Sequence, residues 1–302
     1  MTDRPSVAAI DARLTEVGGT PVHRHLPRRA RRTVGPWCLL DHFGPISSAT
    51  DVMSVGPHPH IGLQTVTWLF AGEGHHSDSL GNRVTLRPGQ LNLMTAGFGI
   101  AHAELGDRSS AVGHGVQLWI AQPEATRNGP GDFAHHPVLP TRPIGDLRAT
   151  VLVGSFAGLE SPAVVASPVV GVELSGGGHA RLALNPEHEH AIAVLDGGVK
   201  IDEVAFGRDV LADLGSGRDE VRIDVPAGSK VLLLGGAPLA DPIVMWWNFV
   251  ARSRDEIAAA WRAWSTEDAR FGSVHSSLDR VRAPRPEWLS IGPDDHRNGD
   301  AR

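Results

Sequence analysis

The stretch QTVTWLFAG, residues 64–72, decides the fold class. β-Branched and aromatic residues give its first seven positions strand composition, and Ala71-Gly72 then breaks it, since glycine tolerates the positive φ of a tight reversal. The same grammar recurs on both sides. SLGN (79–82) is a turn, 83–86 a short strand closed by Pro88-Gly89, 90–94 alternates polar and apolar, and GVQLWI (115–120) supplies another strand. Nothing between these runs has helical period, so the text from 37 to 138 points to a β-sandwich or barrel rather than βαβ units.

β-Type text resumes at 151–153, 169–174, 180–184, 191–195, 221–225 and 231–234, with 122–143 read as a connecting segment. Two echoes link the halves: Leu195-Asp196-Gly197 beside Phe70-Ala71-Gly72, and Val225-Pro226-Ala227-Gly228 beside Leu86-Arg87-Pro88-Gly89. The expectation is an all-β chain of two duplicated units, 1–138 and 139–302. One helix is expected over 253–270: Ser253 and Glu256 form a capping box, and Ile257, Trp261 and Trp264 recur at helical spacing as a packing stripe. The polar stretch from 294 reads as a frayed tail.

The length of 302 residues suits two domains, and 41% hydrophobic with 21% charged residues is ordinary for a folded protein. Lys and Arg number 28 against 34 Asp and Glu, a net charge of −6 that gives no general attraction to nucleic acid or an anionic membrane. The single cysteine, Cys38, excludes an intrachain disulfide, zinc fingers and iron–sulfur clusters, and reads as a buried, inert thiol. No apolar run reaches the length of a signal peptide or membrane span, so a cytoplasmic location is expected.

Sixteen histidines ask for a role. His58-Pro59-His60 is followed, 42 positions on, by His102-Ala103-Glu104. Alternate residues of a strand share a face, so two such strands side by side would offer three imidazoles and a carboxylate to one point. That donor set suits Fe, Mn, Ni, Cu or Zn and leaves positions open for chemistry. His75-His76 and His135-His136 read instead as solvated turn residues.

GPHPHIGLQTVTW (56–68), SDSLGN (77–82), MTAGFGIAHAE (94–104) and GVQLW (115–119), with RRTVGPWCLLDHFGP (31–45) before them and DPIVMWWNFVARSRDEI (241–257) after, closely resemble the pirin family of the cupin superfamily. The resemblance implies a bicupin of two β-sandwich barrels, with one metal in the N-terminal barrel. Its ligands would be His58, His60, His102 and Glu104, the same four that spacing selects. Many pirins carry Arg and Phe-Glu where this chain has Ile61 and Leu63-Gln64; Gln64 falls where the general cupin motif has a ligand carboxylate, leaving Glu104 as the anionic ligand. His188-Glu189-His190 precedes its strand-ending Gly197 by 7 positions where His60 precedes Gly72 by 12, so it is out of register and the second barrel is expected to lack metal. Arg28, Arg29, Arg31 and Arg32 read as a solvated face, and glycine-rich 175–178 lacks the helix and Lys-Ser/Thr of a phosphate loop.

The resemblance also implies an activity like that of quercetin 2,3-dioxygenase. A small aromatic enol would bind a divalent metal, iron as Fe(II) by resemblance, with Glu104 as catalytic base and Phe43, Phe98 and Trp119 as candidate walls. The alternative is a metal-dependent regulatory protein whose partner is a transcription factor or metabolic enzyme, and a third reading is a bicupin whose ligands are relics.

Overall fold

The computed structural model describes residues 6–46, 54–106 and 113–289. They form an all-β structure with one α-helix, built as two β-sandwiches, each a seven-stranded sheet over a four-stranded one. In the first sandwich the large sheet runs Asp132–His136, Leu91–Thr95, Leu63–Ala71, Gly113–Ala121, Trp37–Ile46, Thr20–Leu26, Arg13–Val17. Its small sheet runs Ser54–His60, Ile100–Gly106, Gly74–Asp78, Arg83–Leu86. In the second, the large sheet runs Ala8–Asp11, Val210–Gly215, Glu189–Asp196, Lys230–Gly236, Val169–Gly176, Leu147–Val153, Thr141–Ile144.

Position by position the two large sheets correspond. Leu63–Ala71 and Glu189–Asp196 hold the same place, and the glycines that end them, Gly72 and Gly197, both take positive φ, 86° and 73°. The first sequence echo is therefore a true equivalence. The second is not: Pro88-Gly89 precedes Leu91–Thr95, whose counterpart is Val210–Gly215, whereas Pro226 to Gly228 precede Lys230–Gly236. Any tight turn into a strand favours the same Pro and Gly chemistry.

The large sheets face each other across a seam. Leu40, Val66, Trp68, Val116 and Leu118 of one meet Leu152, Val169, Ala193, Leu211 and Leu232 of the other in one buried cluster. Trp37 crosses it, its indole Nε1 donating to the carbonyls of Val170 (3.2 Å) and Gly235 (3.1 Å). Arg31 does not face solvent as its basic run suggests. Its guanidinium lies 3.0 Å from Glu189 and 3.6 Å from Asp213 of the second sandwich.

The two ends of the chain trade places, so a cut between 138 and 139 does not divide the structure. Ala8–Asp11 pairs with Val210–Gly215 at the edge of the second sheet, the slot that Asp132–His136 fills in the first. Conversely the hairpin Val244–Trp246/Phe249–Ala251 and the helix Arg254–Ser265 pack on the first sandwich, burying Phe249, Ile257 and Trp264 with Ile61 and Ala101. The helix begins as expected: Ser253 caps it, accepting from the Glu256 amide at 3.2 Å. The Glu256 carboxylate reaches back to the Arg252 amide (2.9 Å) instead of to Ser253. The helix stops at Ser265, short of 270, because Asp268 caps a separate 3-10 turn, Ala269–Phe271.

The segment read as a connector holds two edge strands, Asp132–His136 and Thr141–Ile144, so His135 and His136 are half-buried strand residues. The polar stretch from 294 lies outside the described residues. Among those residues no helix is long and apolar enough to cross a membrane.

Two outcomes follow from this packing. Trp37→Ala should cost about 3–5 kcal/mol, the usual range for emptying a buried tryptophan site, read as a lower midpoint in urea unfolding. Burial pushes the Cys38 thiol up to about 12. Iodoacetamide at about pH 8 should therefore leave the folded protein unmodified and label it only in denaturant, since the thiolate is the nucleophile.

Candidate metal centre

The small sheet of the first sandwich aligns the expected ligands. Ser54–His60 and Ile100–Gly106 are antiparallel neighbours, with His58 directly opposite His102 and His60 opposite Ile100. Ser54–His60 is an edge strand, where Pro57 and Pro59 interrupt no sheet on the outer side. That edge is covered by a C-terminal segment: the Val281 amide donates to the Pro57 carbonyl at 2.9 Å. The approach is so close that a Cβ on Gly56 would lie 2.0 Å from the Asp279 carbonyl oxygen.

The imidazoles of His58, His60 and His102 converge, with ring centres 4.3 to 5.1 Å apart and one nitrogen of each within 4.8 Å of the others. All three are buried. Their outer hydrogen bonds fix the tautomers. His58 Nδ1 lies 2.9 Å from the Gly56 carbonyl and His60 Nδ1 3.0 Å from the Asn248 carbonyl. A carbonyl only accepts, so each Nδ1 carries the proton and each Nε2 presents a lone pair.

His102 is set by a relay. Asp78 accepts from His76 Nε2 at 3.2 Å, which leaves His76 Nδ1 bare and facing His102 Nδ1 at 3.5 Å. The proton between them then belongs to His102 Nδ1, and His102 Nε2 is a third lone pair. It stands 3.0 Å from His60 Nε2. With both Nδ1 positions protonated, neutral rings have no proton to place in that gap. Two donors each ~2.1 Å from one ion and at right angles would be about 3.0 Å apart, so the set fits a divalent transition metal.

Protonation states agree. Burial first, then neighbouring imidazoles, holds His60 and His102 well below the usual histidine range, and burial takes His58 to about 4. Neutral imidazole is the ligating form. Burial alone would raise Asp78, but hydrogen bonds from His76 and Asn82 bring it below the ordinary carboxylate range. It stays an anion beside His76. Its turn pins it further, since Asp78 Oδ1 accepts from the amides of Leu80 (2.9 Å) and Asn82 (3.0 Å).

Glu104 stands off the three-ring group. A register shift between His102 and Glu104 places it opposite Val55 on one side and His76 on the other, and its carboxylate groups with His76 and His102. Burial raises its pKa against the pull of His76 and Thr67.

His76 corrects the reading of His75-His76 as solvated. His75 is exposed and bonds Thr85, but His76 is buried, and Phe133 stacks on its ring at 4.3 Å and 14°. The missed signal is spacing: His76-Ser77-Asp78 is a third alternate pair on the strand beside His102. Gln64 is also corrected. Its side chain faces the seam, donating to Thr95 (2.8 Å) and accepting from the Ala166 amide (2.8 Å), so it occupies no ligand slot.

The rings open into a cavity of about 340 Å³ bordered by Arg24, Leu39, Asp41, Val55, Trp119 and Val281. Arg24 and Asp41 form a bidentate pair, Nε to Oδ1 at 2.7 Å. Trp119 meets His60 edge-on at 5.1 Å. Of the other expected walls, Phe43 lines a neighbouring cavity, and Phe98 is 51% exposed beneath the Arg270 guanidinium. In the second sandwich, His188-Glu189-His190 opens the strand equivalent to Leu63–Ala71, not one equivalent to Ser54–His60, and Glu189 turns to Arg31 and the Gly35 amide.

Comparison with known proteins gives two family matches: Pirin over residues 19–120, and Pirin C-terminal cupin domain over 169–272. A Pseudomonas aeruginosa protein that bears quercetin 2,3-dioxygenase as a provisional name is 45% identical over 280 residues, 91% of this chain and 88% of that relative. A pirin-like protein of Caulobacter vibrioides is 37% identical, covering 84% of this chain and 91% of its own length. The crystal structure of quercetin 2,3-dioxygenase from Acinetobacter baumannii superposes with a TM-score of 0.90 at 42% identity, covering 94% of this chain and 97% of that one.

The relay makes a measurable difference. His76→Phe keeps the stack on Phe133 but removes the acceptor for His102, and should weaken Co(II) affinity by roughly 10–100-fold, the usual cost of losing an outer partner. His60→Ala should abolish binding at this site; both are read by titrating metal-free protein and following cobalt absorption.

Proposed function

The chain belongs to the pirin family, and from that premise we propose that it is a metal-dependent dioxygenase resembling quercetin 2,3-dioxygenase, acting on a small aromatic enol of the flavonol class. His58, His60 and His102 would hold the metal, Fe(II) by preference, with Glu104, set back beside His76, as the fourth, anionic donor. The observation that carries this reading is the convergence of Nε2 lone pairs whose Nδ1 protons are already committed to Gly56, Asn248 and the Asp78–His76 relay. The relatives' names support the choice of reaction.

When bound, the metal supplies a Lewis acid that lowers the pKa of a coordinated enol and a redox-active centre for O₂ chemistry. The protein's own contribution is positional. The cavity accommodates a flat aromatic molecule, at the lower end of the size range of small-ligand pockets, roughly 300–1,000 Å³. Trp119 and Leu39 give it an apolar wall, while the Arg24–Asp41 ion pair adds a polar one. Glu104, opposite His76 and bonded by the Thr67 hydroxyl, takes the enol proton at a carboxylate oxygen, as a positioned base does. Val281 borders one side of the cavity.

With Fe(II) loaded and air present, the wild type should bleach the flavonol absorbance of quercetin. His60→Ala should not, and Glu104→Gln should be slower by about 10²-fold or more, the usual contribution of a positioned base. A wild type with one bound iron per chain that leaves quercetin unchanged would overturn the assignment.

A further inference from the structure

A second cluster of histidines lies on the opposite face of the same large sheet. On Thr20–Leu26, Arg24 points to the first cavity, while His23 and His25 point to the seam. His25 is the extra residue of a register shift between Arg24 and Leu26, a bulge that re-aims a side chain. On Trp37–Ile46, Asp41 faces the first cavity and His42, paired with His23, faces the seam. Asp209, in the turn before Val210–Gly215, reaches in from the second sandwich.

The polar atoms here are buried and unsatisfied. His25 and His42 are both 0% exposed. Among the described residues neither nitrogen of His25 has a hydrogen-bond partner, nor has His42 Nδ1, nor Asp209 Oδ1. Orphaned buried polar atoms are costly and rare, and three nitrogens and a carboxylate oxygen on three neighbouring side chains call for a ligand. One atom each of His25, His42 and Asp209 lies within 4.8 Å of the others. His42 Nδ1 and Asp209 Oδ1 are 3.6 Å apart, too far for a good hydrogen bond but close to the ~3.3 Å between donors on a tetrahedral zinc-sized ion.

The outer contacts are those of a built site. His42 Nε2 lies 2.9 Å from His114 Nε2, which directs Nδ1 inward. Asp209 Oδ2 is held by His23 Nδ1 (3.1 Å) and Arg208 Nε (3.3 Å), leaving Oδ1 for a ligand. Arg208 also donates to the Gly44 carbonyl, which keeps its charge at the rim. Outer hydrogen bonds of this kind orient metal ligands.

We propose that His25, His42 and Asp209 form a second cation site, taking a divalent ion of the zinc class with solvent at the remaining position and clamping the two sandwiches together across the seam. It is separate from the reading of the first site. Two ligands come from one sandwich and one from the other, so binding should stabilise the docked arrangement and raise Tm.

The test titrates metal-free full-length protein with Zn(II), counting bound ions by mass spectrometry of the metal and following Tm. The wild type should take two ions per chain. His60→Ala should take one and still gain Tm on binding it, whereas Asp209→Asn and His25→Gln should each lose the second ion and the gain in Tm that comes with it. Asp209→Asn alters a half-exposed side chain by one atom group, so it decides the matter even where His25→Gln does not fold. A wild type that takes one ion, lost in His60→Ala, overturns this inference and leaves the first site standing. One ion kept in His60→Ala and lost in Asp209→Asn supports it and removes the first. Two ions kept in Asp209→Asn overturn it as well.

Discussion

Two imidazole nitrogens 3.0 Å apart with no proton between them are the constraint around which the first sandwich is organised. Neutral rings repel in that geometry, and protonating either is opposed by burial and by the other rings. Each alternative has been closed by an outer partner: the Gly56 carbonyl for His58, the Asn248 carbonyl for His60, the anionic Asp78 through His76 for His102. A cation placed among such rings would relieve their mutual repulsion, and outer hydrogen bonds of this kind orient metal ligands.

That arrangement draws on parts of the chain far from the ligands. Asn248 lies in the hairpin Val244–Trp246/Phe249–Ala251, which reaches the first sandwich because the chain's ends have exchanged partners. Val281 and Asp279 seal the edge strand that carries His58 and His60. In a duplicated fold the third segment, after the second sandwich is complete, is free to specialise, and here it supplies a hydrogen-bond acceptor, a cavity wall and an edge cover. The cost is that the first sandwich has no complete site without residues beyond 240.

The class of fold was legible because period-2 patterning and turn glycines are local signals, as at 64–72. The convergence of His58, His60 and His102 was legible for the same reason, alternate residues of a strand sharing a face, whereas Glu104, the fourth residue read from that spacing, groups with His76 and His102 instead. What escaped was cross-strand information. His76 looked like one of a solvated pair because nothing local reveals that its strand sits between Ile100–Gly106 and Arg83–Leu86, burying one neighbour and exposing the other. Gln64 looked like a ligand position by motif counting, yet Gly62, at φ 66°, separates His60 from the strand in which Gln64 faces the seam. The end exchange was invisible because strand order within a sheet depends on contacts some two hundred residues apart, such as Ala8 with Asp213.

A single large sheet thus carries unlike chemistry on its two faces. Arg24 and Asp41 face the first cavity and their immediate neighbours His25 and His42 face the seam, so one cross-strand ladder spans both. Any shift of Thr20–Leu26 against Trp37–Ile46 would move both faces at once, because a strand slides as a unit. Asp209 of the second sandwich, beside His23 and His42, therefore contacts the same two strands that carry Arg24 and Asp41. The link between the two faces is the backbone itself. It follows from the pleat, in which adjacent residues share a backbone and face opposite ways.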